Sequence, residues 1–79
     1  MKARIHIMLK NGILDPQGDA VRHALGTLGF NEVESVRQGK VIELELKVTD
    51  PDAAAAKVRD MCEKLLANTV IETYQVELI

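Results

Sequence analysis

The sequence predicts an α+β fold of two layers, with elements in the order β-α-β-β-α-β. Three observations predict it. The pair Asp-Pro occurs twice, at Asp15-Pro16 and Asp50-Pro51, each time at the head of a helix-like stretch. A strand-like run precedes each pair, and another closes the chain. Helical and strand-like periods therefore alternate as two β-α-β halves joined in sequence, the split arrangement of ferredoxin-like folds. The expectation is one domain over residues 1–79: an antiparallel sheet with two helices on one face, completed as a dimer by exchanged or shared strands.

In the first strand Ala3, Ile5, Ile7 and Leu9 alternate with Arg4, His6, Met8 and Lys10, so one face is buried. Asn11-Gly12 ends it. Asp15 is placed to cap the first helix, because its carboxylate can accept otherwise unpaired N–H groups of the first turn. Pro16 follows at the first helical position, where a missing N–H costs nothing. The helix is expected from Pro16 to Leu28, with Ala20, Val21, Ala24, Leu25 and Leu28 as its apolar stripe. Gly29 suits a left-handed cap, and Phe30 is expected to plug the core.

A second strand is expected over Glu32–Gln38, with a bulge where Val33 and Val36 break strict alternation. Gln38-Gly39 would turn the chain. Ile42, Leu44, Leu46 and Val48 then alternate with Val41, Glu43, Glu45 and Lys47. The second helix is expected from Pro51 to Ala67, burying Ala54, Val58, Met61, Cys62 and Leu65, with Asn68 as its cap. The last strand is expected over Val70–Leu78, with Val70, Tyr74, Val76 and Leu78 on one face. Ile71 and Ile79 on the other face imply cover from both sides.

Seventy-nine residues bury too little surface for a robust lone monomer. A single cysteine and no zinc-type spacing leave neither disulfide nor metal as a staple. Self-association or docking on a larger partner is the remaining route. A net charge of -2 argues against nucleic acid. The sheet face bearing Val41, Glu43 and Glu45 lacks the aromatic residues on which RNA bases stack. No apolar run approaches a membrane span, and Met1–Arg4 leads into alternation without a signal-peptide core. A cytoplasmic location is expected.

Cys62 lies at helical spacing from Val58 and Leu65, and reads as a small buried hydrophobe rather than a catalytic thiol. His6 and His23 belong to no metal-spaced motif and read as surface residues. The stretch Asn11-Gly12 to Gln17-Gly18 could cradle an anion at a helix N-terminus. It lacks the glycine-rich fingerprint and the P-loop lysine, and Asp15 and Asp19 put negative charge where a phosphate would sit; capping is the better reading. Gly18, inside the first turn, gives up to ~1 kcal/mol of helix propensity, which implies close approach of another backbone or a ligand. Arg37 and Lys40 bracket the expected turn and suit a phosphate or a partner carboxylate, with a solvated hairpin tip as the alternative. Asn11, Gln17, Gly18, Arg37 and Lys40 are the candidate partner-facing residues, because they gather at strand ends and turns without a core role. No Ser/His/Asp, Cys/His or paired-carboxylate set emerges, so no catalytic, cofactor or metal site is assigned.

Several segments resemble one family. Leu14-Asp15-Pro16-Gln17-Gly18, Ala24-Leu25 with Leu28-Gly29-Phe30, and Val36-Arg37-Gln38-Gly39-Lys40 are three of them. Cys62-Glu63-Lys64-Leu65-Leu66-Ala67-Asn68 and Val70-Ile71-Glu72-Thr73-Tyr74 complete the set. Together they look like the PurS family, the small subunit of phosphoribosylformylglycinamidine synthase, nearly end to end. Thr69 replaces an expected proline and Ile13 an expected valine. The resemblance implies a non-catalytic subunit of an ATP-dependent C–N ligase in purine biosynthesis. A synthetase subunit would use ATP and Mg to activate formylglycinamide ribonucleotide, and a glutaminase subunit would release ammonia from glutamine. This chain, as a homodimer or higher oligomer, would bridge the two and support ammonia transfer, binding no cofactor itself. The rival reading is an ACT-like regulatory module that binds an amino acid at Asp15-Pro16-Gln17-Gly18. A free-standing enzyme is the weakest reading.

Overall fold

The computed structural model describes all 79 residues. Strand β1 (Lys2–Leu9) leads to helix α1 (Pro16–Thr27), then strand β2 (Gly39–Glu45). Helix α2 (Pro51–Met61) runs into one π-helical turn, Cys62–Leu66, and strand β3 (Glu72–Leu78) closes the chain. The sheet is antiparallel in the order β2-β1-β3, with Ile5 opposite both Ile42 and Val76. This is the order of a ferredoxin-like sheet without its fourth, edge strand.

The expected alternation sorts the two faces. Ala3, Ile5 and Ile7 are buried against Val58, Cys62 and Ala67, flanked by half-buried Ile42, Leu44, Tyr74, Val76 and Leu78. On the other face Arg4 ties all three strands together: its guanidinium donates to Glu43 of β2 (3.0 and 3.1 Å) and to Glu77 of β3 (3.0 Å). Both Asp-Pro starts form as expected. Asp15 Oδ1 accepts from the Gly18 N–H at 2.9 Å, and Asp50 Oδ1 from the Asp52 N–H at 3.3 Å. Gly29 (φ +98°) ends α1 in a Schellman motif, with Phe30 N–H donating to Leu25 O and Gly29 N–H to Gly26 O.

Several expectations are corrected. Glu32–Gln38 forms no strand and Gln38-Gly39 no hairpin turn. Residues 33–38 are irregular and lead directly into β2 without doubling back. Only α2 packs on the sheet, whereas α1 makes no extensive contact with any strand. Neither residues 33–38 nor α1 has a sheet partner within this chain. Phe30 is half exposed for the same reason.

The π turn explains a second group. It inserts a residue into the helical register, so the buried stripe runs Ala54, Val58, Cys62, Ala67 and Leu65 turns outward; Met61, the residue before the turn, is also exposed. The helical turn ends at Leu66 and its cap is Ala67, whose N–H donates to Cys62 O, rather than the expected Asn68. Asn68 instead organises the next turn, its Oδ1 accepting from Val70 N–H at 3.2 Å. Val70 falls in that turn and is exposed. The outer face of β3 carries Thr73, Gln75 and Glu77 rather than a second apolar row.

Candidate functional site

The notable region is the part of the molecule that the single chain leaves open. Only eight residues are buried. The Cα radius of gyration is 16.0 Å, against about 12 Å for a compact chain of this length. The long axis is 49 Å. At standard rises β1 spans about 26 Å and α1 about 18 Å, so strand and helix lie nearer end to end than side by side. With residues 28–38, α1 forms an arm beyond the end of the sheet. The leucines that flank α1 lack cover: Leu14 is 79% exposed and Leu28 72%. On the body, the β2 side of the inner sheet face is only half-buried at Ile42, Leu44 and Leu46. A partly covered apolar helix and a half-covered apolar sheet face thus occur in the same chain without packing on each other.

The root of the arm is closely fitted. Gly18 is the one buried residue of α1. A Cβ there would strike the Val36 carbonyl oxygen and lie 2.8 Å from Asp15 Oδ2. The close approach expected at Gly18 is therefore made by the chain's own returning backbone. Asp15 Oδ2 accepts from the Gln38 N–H at 2.9 Å, and the Arg37 guanidinium donates to Leu9 O. The Gln38 and Gly18 amides, with the nearby Arg37 charge, hold the Asp15 carboxyl below its ordinary range. A cavity of about 230 Å³ beside the root is lined by Asp15, Gln17, Gln38, Lys40 and Glu72 among others.

Of the five candidate partner-facing residues, Asn11, Gln17, Arg37 and Lys40 are exposed, and all five lie about this root; Gly18 is beneath Val36. Arg37 and Lys40 do not bracket a hairpin tip. Arg37 pins the returning chain, and Lys40 lies opposite Ile7 on the inner face. No motif marks the link from Asp15 to Gln38, 23 residues away. Gly18 was its only local trace. Cys62 is fully buried, and burial pushes its thiol up. His6 and His23 are exposed. No cluster of three or more His, Cys, Asp or Glu side chains is placed to hold a metal ion. No helix is long and apolar enough to cross a membrane.

The family model described as PurS, phosphoribosylformylglycinamidine (FGAM) synthase, matches residues 2–79. The chain belongs to the PurS family. It is similar to the PurS subunit of phosphoribosylformylglycinamidine synthase from Bacillus subtilis, 51% identical over 77 residues, covering 98% of this chain and 90% of that one. The solved PurS of Methanocaldococcus jannaschii is 39% identical with a TM-score of 0.86, covering 96% of this chain and 92% of that one. That protein is described as one of the subunits of formylglycinamide ribonucleotide amidotransferase in the purine biosynthetic pathway. A chain in the structure of PurLQS from Thermotoga maritima is 31% identical with a TM-score of 0.88, over 99% of this chain and 95% of that one. These PurS relatives lend nothing to the ACT-like alternative.

Proposed function

We propose that this chain is the non-catalytic PurS subunit of a cytoplasmic phosphoribosylformylglycinamidine synthase, bridging its synthetase and glutaminase subunits in purine biosynthesis. In this reading ATP and Mg are bound and used by the synthetase, the glutaminase frees ammonia, and this chain holds the two together so that ammonia passes between them. The observation that carries the reading is the likeness, over nearly the whole chain, to a member of a PurLQS structure. The open architecture supports it: a chain whose apolar helix and half-covered sheet face do not meet is built for association.

The same reading makes the chain a homodimer or higher oligomer in which the arm of one copy lies over the half-covered sheet face of another. The expected turn at Gln38-Gly39 is the hinge that has opened, and opened hinges are the usual route to exchange. Asn11, Gln17, Arg37 and Lys40, exposed about the hinge, then face the larger subunits, with Gly18 shaping the surface beneath them. The test is reconstitution. Synthetase and glutaminase are mixed with and without this chain, and glutamine-dependent product is measured. The reading requires product formation to collapse when the chain is left out. Unchanged activity without it would refute it.

A further inference from the structure

The arm joins the body through two crossings of chain: Ile13–Asp15 leaving and Val36–Gln38 returning. The fixings that set its direction sit at these crossings. Asp15 spans both, since Oδ1 accepts from Gly18 N–H on the outgoing side and Oδ2 from Gln38 N–H on the returning side, each at 2.9 Å. The Val36 carbonyl closes over Gly18, where no side chain fits. Arg37 holds the returning chain to Leu9 O, and Lys10 N–H donates to Ile71 O at 2.8 Å, so the root is tied to the ends of both β1 and β3. Farther out, α1 has no extensive contact with the body. A helix held at one end follows its root, so a small change of angle at Asp15 swings the Leu28 end by several times as much.

We propose that the Asp15 carboxylate is a latch that sets the direction of the arm by clamping its outgoing chain to its returning chain. Asp15 is a positioning residue and touches no substrate. The consequence for assembly rests on the exchange reading above: an arm already aimed loses less freedom when a second copy takes it up. The latch itself stands on the single chain. Each oxygen of this one carboxylate accepts from a different backbone N–H, one on either side of the root.

Amide hydrogen exchange by NMR on the full chain tests this, comparing wild type with Asp15→Ala and Asp15→Asn. Asp15→Ala should speed exchange at both Gly18 and Gln38 by about tenfold, while β1 and β3 amides keep their protection. Asp15→Asn retains a single acceptor oxygen, so one of the two amides should stay protected and the other should not. It also decides the matter if Asp15→Ala unfolds as a whole. Unchanged exchange at Gln38 in both variants would overturn the latch. So would an equal rise across the root and the β1–β3 sheet in Asp15→Asn. A wild-type chain that stays monomeric would remove the exchange reading and leave the exchange pattern at the root as it is.

Discussion

Replacing Gly18 by alanine opposes two effects whose balance the structure decides. Alanine is the better helix former by up to about 1 kcal/mol, and Gly18 sits inside α1. Against this, the added Cβ would overlap the Val36 carbonyl oxygen and lie 2.8 Å from Asp15 Oδ2. The carbonyl would have to retreat by about 1 Å to reach ordinary contact. That motion pulls on Gln38, two residues on, and so on its bond to Asp15. Overpacking of this kind costs about 1–3 kcal/mol, so the net effect is a loss centred on about 1 kcal/mol. For a chain of this size that lowers Tm by roughly 4–8 °C. Gly26 supplies the control. It lies in the same helix, and a Cβ there would meet nothing nearer than Asn31 Oδ1 at 3.8 Å. Gly26→Ala should therefore stabilise by about 0.5–1 kcal/mol. Urea unfolding of the two variants at equal protein concentration is the assay. If Gly18→Ala matched Gly26→Ala or exceeded wild type, the close approach of Val36 would be refuted.

Three other outcomes follow from the same geometry. The Asp15 carboxyl is held below its ordinary value of 3.8, so its stabilising contribution is complete above that pH and is lost as pH falls through the lower native value. The stability difference between wild type and Asp15→Asn should be flat from pH 7 to 5 and shrink below about pH 3.8; a difference that grew in acid would contradict it. Cys62 is buried with its thiol pushed up, so a thiol reagent at pH 8 should label the native protein at least about 100-fold more slowly than the urea-unfolded chain. Comparable rates would place the thiol at the surface. Leu28, 72% exposed in the single chain, should be covered by the second copy. Leu28→Glu should then weaken self-association by about tenfold or more, read by dilution in the ultracentrifuge, and an unchanged dissociation constant would remove Leu28 from the interface.

What was legible in the sequence is what is encoded locally. The period-two runs at Ala3–Leu9 and Ile42–Val48 set both sheet faces because alternation is enforced by the pleat itself. The two Asp-Pro starts and the Gly29 cap were legible because capping involves residues a few positions apart. The strand expected at Glu32–Gln38 was not, since the spacing of Val33 and Val36 breaks the alternation that would give it one buried face. Phe30 and the stripe of α1 read as core because an apolar side chain looks the same in sequence whether or not its own chain covers it. Leu65 falls on the buried stripe at the α-helical period and turns outward because the π turn, which leaves no periodic mark of its own, shifts the register. At the arm root, Gly18 announced a close contact without naming Val36, and Asp15 declared one acceptor role while holding two. The family itself was legible because its segments run in order along nearly the whole chain.

A second copy is expected to cover the surface this chain leaves open. The most direct measurement is the solution mass and shape of the purified protein, by light scattering with small-angle X-ray scattering across a dilution series. The expected result is a particle of at least twice the 8.7 kDa chain mass at micromolar concentration. A stable species of one chain mass, with a radius of gyration near the roughly 12 Å of a compact fold, would show that the arm folds back on its own sheet and would contradict it.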